Sequence, residues 1–239
     1  MDPKKKLAII MCTWNRIGRL SKTLDMLGCQ SDMNFKLFLW NNNFNQRKDV
    51  DTICKKHSLN SRIQIHHSRT NIGGVGRFYW PAQLSKEYEF VLFIDDDQNF
   101  GPLLVEGAKK QAVKGILKGW WSWRIFNNNY GKRQRVTKPG QQANYCGTGG
   151  MLIESSVFKD PRILKDLPKR FSFIEDLWLT TYCKYVLKMK CEHLNVGLQL
   201  INDGKNQYQV KKVGAPASVQ NKQQFYMYLV RQFNIQPNK

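Results

Sequence analysis

The sequence predicts an α/β protein with a mostly parallel central sheet flanked by helices. In the first half, short apolar runs alternate with segments of helical periodicity, which is the pattern of parallel strands joined by crossover helices. Two of the runs, residues 7–12 and 90–94, contain no charged or hydrogen-bonding side chain other than one thiol, as expected for strands buried on both faces. A length of 239 residues fits one domain with a sizeable core.

Four strands and three helices are predicted in the first half. Directly after the first apolar run, Ile17, Leu20 and Leu24 recur at helical spacing. Ile63 and Ile65 alternate with polar neighbours, which is typical of a strand. The predicted strands lie at residues 7–12, 36–40, 63–65 and 90–94, and the predicted helices lie near 17–28, 48–57 and 76–86.

The second half is less regular, and the same criteria give a mixed set of elements. We expect a helix at 102–113, a strand at 120–123 with core tryptophans, a polar loop at 127–144, a strand at 151–153, a helix at 176–187 and a strand at 191–200. Near the C-terminus, Phe225, Tyr228 and Leu229 share one side of an amphipathic helix. We expect this helix to pack on the sheet, and peripheral contact with a membrane is the alternative.

Composition restricts the class of protein. Thirty-eight Lys and Arg residues against 18 Asp and Glu give a net charge of +20, so the partner is a polyanion such as nucleic acid, anionic lipid or the phosphates of a nucleotide. Six cysteines without a Cys-x-x-Cys pair argue against a zinc ribbon or a disulfide framework. No apolar run approaches the roughly 20 residues that span a bilayer or forms a signal peptide, so we expect a cytoplasmic protein.

The most informative motif is the acidic triplet that follows the run 90–94. Ligands of open parallel sheets bind beyond the carboxyl ends of the strands, where Asp95, Asp96 and Asp97 are expected. In an extended segment Asp95 and Asp97 would share one side and suit Mg²⁺ or Mn²⁺, while Asp96 would face away. The alternative is a solvated acidic turn that caps a following helix.

Three further motifs carry polar or flexible residues at turns. Residues 13–16 (Thr-Trp-Asn-Arg) follow the first strand and suit a base or a phosphate, or only cap a helix. Residues 71–77 (Asn-Ile-Gly-Gly-Val-Gly-Arg) let backbone approach a ligand beside a cation. Glu175 and Asp176 form a second acidic pair, which is a candidate for proton transfer or simply favours a helix N-terminus.

Taken in order, these motifs resemble the GT-A nucleotide-sugar glycosyltransferases of the family 2-like group. Thr-Trp-Asn-Arg is similar to that family's Thr-Tyr-Asn-Arg, Asn-Ile-Gly-Gly to its Asn-x-Gly-Gly, and Ile-Asp-Asp-Asp to its Asp-x-Asp. Leu-Trp-Asn-Asn-Asn stands at its nucleoside contact, Gly-Thr-Gly-Gly-Met-Leu-Ile at its donor–acceptor junction, and Ile-Glu-Asp-Leu-Trp-Leu at its Glu-Asp-x-x-Leu. The resemblance covers roughly residues 6 to 188.

The resemblance implies a Rossmann-like GT-A fold over a single domain, 1–239, with a nucleotide-binding half at 1–100 and an acceptor-binding half at 101–239. It implies that Asp97, with Asp95, holds Mn²⁺ or Mg²⁺ on the diphosphate, and that Asp95 also contacts the ribose or the sugar. Glu175 and Asp176 would face the acceptor, with Asp176 as the catalytic base. The remaining donor-binding residues that it implies are Thr13, Asn15, Arg16, Asn41, Asn71, Gly74, Arg77, Asp96, Gly149 and Gly150.

The activity implied by the resemblance is metal-dependent, inverting transfer of a sugar from a nucleoside-diphosphate sugar, a UDP-sugar, to a hydroxyl of a glycan or glycoconjugate. Asn41 stands where the family has an acidic uridine contact, which weakens the case for a pyrimidine. The Gln-x-x-Arg-Trp motif of processive synthases is absent from the sequence, which favours the addition of one sugar at a time.

Two other functions fit part of this pattern. A nucleotidyltransferase acting on a sugar phosphate would also use acidic residues and Mg²⁺, but it would leave Glu175 and Asp176 without a role. A nucleic-acid-binding module would explain the charge, but no RNP motif, zinc-finger spacing or basic helix is present, so no nucleic acid is expected. The basic residues Lys132, Arg133 and Arg135 suit either a lid over the diphosphate or a solvated loop, and the sequence leaves the oligomeric state open.

Overall fold

A seven-stranded sheet forms the centre of the protein. The computed structural model describes residues 6–201 and 218–237. The sheet has the order β11-β6-β10-β4-β1-β2-β3, and β10 is antiparallel to its neighbours β4 and β6, while the other pairs are parallel. Its strands are β1 (Leu7–Thr13), β2 (Phe35–Asn41), β3 (Ile63–His67), β4 (Phe90–Asp95), β6 (Ile116–Gly119), β10 (Met151–Glu154) and β11 (Lys190–His193).

Two small sheets extend the carboxyl edge of this central sheet. One pairs β5 (Gln98–Phe100) with β12 (Leu198–Leu200), and the other joins β7 (Ser122–Phe126) to β8 (Asn129–Val136) and β9 (Tyr145–Cys146). The helices are α1 (Ile17–Gly28), α2 (Arg47–Lys56), α3 (Tyr79–Leu84), α4 (Leu104–Gln111), α5 (Arg162–Lys165), α6 (Glu175–Tyr185) and α7 (Val219–Phe233).

Each face of the sheet buries its own apolar core, because side chains alternate along a strand. On β1, Ile9 and Met11 pack with α1, α2 and α4, whereas Ala8 and Ile10 face the side that carries α3, α6 and α7. From Leu7 to Met11, both faces of β1 are fully buried. This arrangement confirms the predicted α/β class with a mostly parallel sheet.

The predicted elements of the first half are confirmed with small shifts of boundary, except that the predicted helix at 76–86 is a 3₁₀ segment, Gly73–Phe78, followed by the short α3. In the second half, the predicted strand at 191–200 is two strands, β11 and β12. Trp120 and Trp121 precede β7, so only Trp123 of the three tryptophans lies within a strand.

The prediction of a loop at 127–144 was wrong, because β8 occupies much of it. Asn127 and Asn128 have φ values of 52° and 53° and connect β7 to β8 in a two-residue turn. Paired positive φ values at such a turn are typical of a type I′ hairpin, for which asparagine is well suited. The polar composition of β8 conceals the strand in the sequence, because only two of its eight residues, Tyr130 and Val136, are buried.

The C-terminal helix α7 packs against the protein, as the sequence predicts, although its contacts are with α6 and β8 rather than with the central sheet. Phe225, Tyr226 and Leu229 are buried, and the Phe225 ring stacks on Phe171 with centroids 4.1 Å apart. Ser218 caps the helix by accepting a hydrogen bond from the Asn221 amide. Within the part of the chain that is described, no helix combines the length and the apolar character that a membrane crossing requires.

Candidate active site

A cavity of about 420 Å³ lies at the carboxyl ends of β1 and β4. Its wall comes from both halves of the chain, because β8, β9 and the first turn of α6 add lining residues to those at the ends of β1 and β4. Of the residues implied by the family resemblance, the cavity is lined by Thr13, Asn15, Arg16, Gly74, Arg77, Asp95, Asp96, Asp97, Gly149, Glu175 and Asp176.

The acidic triplet lies in the wall of this cavity and is held by two arginines. Arg77 donates a hydrogen bond to the Asp95 carboxylate at 2.8 Å, and Arg16 donates to Asp96 at 2.8 Å. The second terminal nitrogen of Arg16 lies 3.4 Å from Asp97. Asp96 does not face away from its neighbours as predicted, because β4 ends at Asp95 and the strict alternation of a strand ends with it. The next element is β5, so the triplet does not cap a helix.

The surroundings of Asp97 disfavour its ionised form. Burial, together with the negative charge of Asp95, raises the pKa of Asp97 to about 7, although Arg16 counteracts this shift. No group of three or more histidine, cysteine or acidic side chains among residues 6–201 and 218–237 could enclose a metal ion. An ion held by Asp95 and Asp97 would therefore need further ligands from a bound diphosphate and from water, as Mg²⁺ commonly takes.

Asp176 lies in the first turn of α6 and lines the same cavity as the triplet. Its carboxylate accepts a hydrogen bond of 2.6 Å from the Tyr145 hydroxyl and one of 2.7 Å from the Leu177 amide. Burial and the charge of Asp176 raise the pKa of the Tyr145 phenol well above its usual range. Tyr145 therefore stays protonated and holds the Asp176 carboxylate in one orientation as a hydrogen-bond acceptor.

Glu175 is buried behind Asp176 and connects the two acidic groups through an arginine. The Arg77 guanidinium that binds Asp95 lies 3.7 Å from the Glu175 carboxylate, and the Thr148 hydroxyl lies 3.4 Å from it. Burial is the largest cause that raises the pKa of Glu175 to about 7, with Asp176 adding to the shift and Arg77 opposing it. The geometry makes Glu175 a support for Arg77.

Replacing Glu175 with glutamine should weaken the pH dependence of the protein's stability between pH 5 and pH 8. The pKa of Glu175 is higher in the folded chain than the ordinary value of 4.5, so the wild-type protein loses stability as pH rises from about 4.5 to about 7. Glutamine carries no charge, so the variant should lose less stability over this interval, by up to about 3 kcal/mol. Urea unfolding of both proteins at pH 5 and at pH 8 measures the difference. An equal pH dependence in the two proteins would contradict the raised pKa of Glu175.

Gly74 allows the 3₁₀ segment to pack directly on the start of α6. A Cβ atom at this position would overlap the Glu175 carboxylate. Gly149 is in a similar position, since a Cβ there would lie 2.5 Å from an Asp95 carboxylate oxygen. These two glycines are needed because the cavity wall places backbone against the acidic side chains.

Substituting alanine for Gly74 should destabilise the protein by about 1–3 kcal/mol, because Glu175 must move or the 3₁₀ segment must shift. Gly18, in α1, is the matched control, since a Cβ there meets no atom within 4 Å. Gly18→Ala should leave the melting temperature unchanged or raise it, because alanine favours helix. Thermal unfolding of both variants tests the contrast, and an unchanged melting temperature for Gly74→Ala would contradict it.

Three residues implied by the resemblance do not line the cavity. Asn41 is fully buried and turns toward β3, where its side-chain amide lies 3.0 Å from the His67 ring. Asn71 accepts a hydrogen bond from the Gly73 amide and shapes the turn. Gly150 has a φ of 86° and packs beneath Trp120 and Leu198. Asn42, one residue after Asn41, lines the cavity and donates a hydrogen bond to the Gly73 carbonyl at 2.9 Å.

Several residues of the wall were not identified from the sequence. Trp120 and Trp121 line the cavity and are half-buried rather than fully in the core. The Arg135 guanidinium lies 4.0 Å from the Trp121 ring centroid and 4.9 Å from that of Trp120, so it packs these rings from behind by cation–π contact. The other lining residues missed by the sequence motifs include Cys12, Gln98, Tyr130, Tyr145, Phe173 and Lys222, and Arg133 lines the wall from β8 rather than from a loop.

The chain is similar to known proteins in its structure but not in its sequence. No family model and no curated protein matches it in sequence. Among solved structures, it is similar to residues 1–349 of S. aureus TarS in complex with UDP-GlcNAc, with a TM-score of 0.59 and 15% identity over 97% of this chain and 68% of that one. The same TarS segment in complex with UDP gives a TM-score of 0.54 and 18% identity over 81% of this chain and 59% of that one.

A third similar structure is GalNAc-T7 with UDP, GalNAc and Mn²⁺, with a TM-score of 0.69 and 11% identity over 95% of this chain and 48% of that one. The chain therefore spans less than two thirds of the TarS segment bound to UDP and about half of the GalNAc-T7 chain. These similarities confirm the predicted GT-A fold, with its mixed but mostly parallel sheet.

Proposed function

We propose that the protein is a metal-dependent glycosyltransferase that moves one sugar from a nucleoside-diphosphate sugar to an acceptor hydroxyl. The observation that carries the proposal is that one cavity is lined by two separate acidic groups, the triplet after β4 and Asp176 at the start of α6. The GT-A fold supports it, as do the UDP, UDP-GlcNAc and Mn²⁺ named for the similar structures. A UDP-sugar is the proposed donor.

The donor is assigned to the wall beside β1 and β4. Thr13, Asn15 and Arg16 would line the nucleoside end, with Asn42 in the position that the sequence assigned to Asn41. Asp97, together with Asp95, would hold Mn²⁺ or Mg²⁺ against the diphosphate. A bound divalent ion supplies charge that stabilises the departing diphosphate. Arg77 holds Asp95 in place through its 2.8 Å hydrogen bond.

The acceptor is assigned to the wall beside α6. The attacking hydroxyl must lose a proton. Asp176 would accept it at the carboxylate oxygen that Tyr145 does not bind, or at the other oxygen once the Tyr145 hydrogen bond is released. A base on the face of the sugar opposite to the diphosphate gives inversion at the anomeric carbon, which is the stereochemistry we propose. Glu175 would act only through Arg77, because it is buried and faces the arginine.

The test is donor hydrolysis and donor binding. The protein is incubated with a panel of UDP-sugars and Mn²⁺ without an acceptor, and the release of free UDP is measured with and without EDTA. We expect slow, EDTA-sensitive release with one preferred sugar, and stabilisation against heat by UDP with Mn²⁺. Release of pyrophosphate from a nucleoside triphosphate and a sugar phosphate would instead identify a nucleotidyltransferase.

A further inference from the structure

Two cationic side chains line the cavity without a carboxylate partner among residues 6–201 and 218–237. Arg16 and Arg77 are fully engaged by the acidic triplet and Glu175. Within the described part of the chain, Arg133 donates a hydrogen bond to the Tyr130 carbonyl, and neither Arg133 nor Lys222 forms an ion pair. Both are half-buried. The cavity therefore carries two positive charges that its own acidic residues do not neutralise.

These cations lie on the Asp176 side of the cavity. The Arg133 guanidinium carbon is 4.5 Å and the Lys222 ammonium 5.9 Å from the centroid of the Tyr130 ring. The Tyr130 ring lies 5.7 Å from the Tyr145 ring, and the Tyr145 hydroxyl binds Asp176. A continuous row of side chains thus leads from the proposed base to both cations.

The position of Lys222 is fixed by the docking of α7 on β8. The neighbouring Gln223 side chain accepts a hydrogen bond of 2.6 Å from the Tyr130 amide. Lys222 follows the first turn of α7, which contains no acidic residue. A cation there opposes the helix dipole and is not stabilised by it, so the helix itself does not account for the position of this charge.

We propose that the acceptor carries an oxyanion, a phosphate or a carboxylate, which Arg133 and Lys222 bind while Asp176 faces the attacking hydroxyl. Arginine presents paired N–H groups to an oxyanion and lysine adds a compact charge, which together suit such a group. The inference rests on the proposed function and narrows its acceptor to anionic glycans or glycoconjugates. The net charge of +20 is consistent with a polyanionic acceptor, since it would attract one to the protein surface.

The test measures glycan binding by the full chain saturated with UDP and Mn²⁺. An array of neutral, phosphorylated and carboxylated glycans is probed, and affinity for the best glycan is compared with that of its dephosphorylated or reduced counterpart. We expect an anionic glycan to bind and removal of the anion to weaken binding about tenfold or more, as the loss of a charge-assisted hydrogen bond predicts. Binding that is absent, or unchanged without the anion, overturns the inference.

Variants separate the acceptor from the donor as the source of the oxyanion. Arg133→Gln and Lys222→Gln should each weaken glycan binding about tenfold and leave UDP affinity unchanged, whereas Arg133→Lys should retain part of it. Lys132→Gln is the matched control, because this exposed neighbour on β8 does not line the cavity. Weakened UDP binding in the two glutamine variants would assign these cations to the donor diphosphate and overturn the inference. Failure of the wild-type protein to bind UDP would refute the proposed function instead.

Discussion

Replacing Asp176 with asparagine should reduce the rate of sugar transfer by about 10²- to 10⁴-fold, the range expected when a general base is removed. Asparagine has nearly the same shape, and its single carbonyl oxygen can still accept the hydrogen bond of the Tyr145 hydroxyl, although the bond from the Leu177 amide is then lost. It cannot accept a proton from the acceptor. Donor binding should be unchanged, because the triplet that would hold the diphosphate is separate from Asp176. Single-turnover transfer and UDP binding, measured on the same preparation, test both parts.

Asp160 offers a matched control for this variant. Its carboxylate also accepts a 2.6 Å hydrogen bond from a tyrosine hydroxyl, that of Tyr182 in α6. Asp160 does not, however, line the cavity. Asp160→Asn should lower stability without slowing transfer. Tyr145→Phe should slow transfer less than Asp176→Asn does, because it frees the base without removing it. If Asp176→Asn retained transfer within about threefold of wild type, Asp176 would not be the base.

The sequence predicts which residues lie at the carboxyl edge of the sheet, but not which of their side chains face the cavity. Asp95, Asp96 and Asp97 follow an unmistakable buried strand, so their place at the cavity was predictable. At the end of β2 a difference of one residue exchanges the two faces, and Asn42 reaches the cavity where Asn41 was expected. A pattern that fixes a strand to within one residue cannot decide between them.

The acceptor side was less predictable, because its residues come from distant segments. Tyr145 meets Asp176 across 31 positions, and Gln223 meets Tyr130 across 93. No local periodicity encodes such contacts. The Asn127–Asn128 turn was a usable signal for the β7–β8 hairpin, since paired asparagines favour positive φ, but the polar side chains of β8 concealed it.

Replacing Asp97 with asparagine should abolish the response of the protein to UDP and Mn²⁺. For the wild-type protein at a hundredfold excess over the dissociation constant, ligand binding contributes about 2.7 kcal/mol, which corresponds to a melting temperature roughly 5–10 °C higher. The variant should show little or no such rise, because Asp95 remains engaged by Arg77 and cannot hold the ion alone. EDTA should remove the rise from the wild-type protein and change nothing in the variant.

The unliganded variant should be at least as stable as wild type, which separates lost binding from misfolding. The raised pKa of Asp97 means that its ionised form is disfavoured in the folded chain, so the wild-type protein loses stability as pH rises toward and through 7. Asparagine removes this cost while Arg16 keeps its partner Asp96. Asp51→Asn changes the net charge equally outside the cavity and should preserve the UDP response. An Asp97→Asn protein that still responds to Mn²⁺ and UDP would remove Asp97 from the metal site.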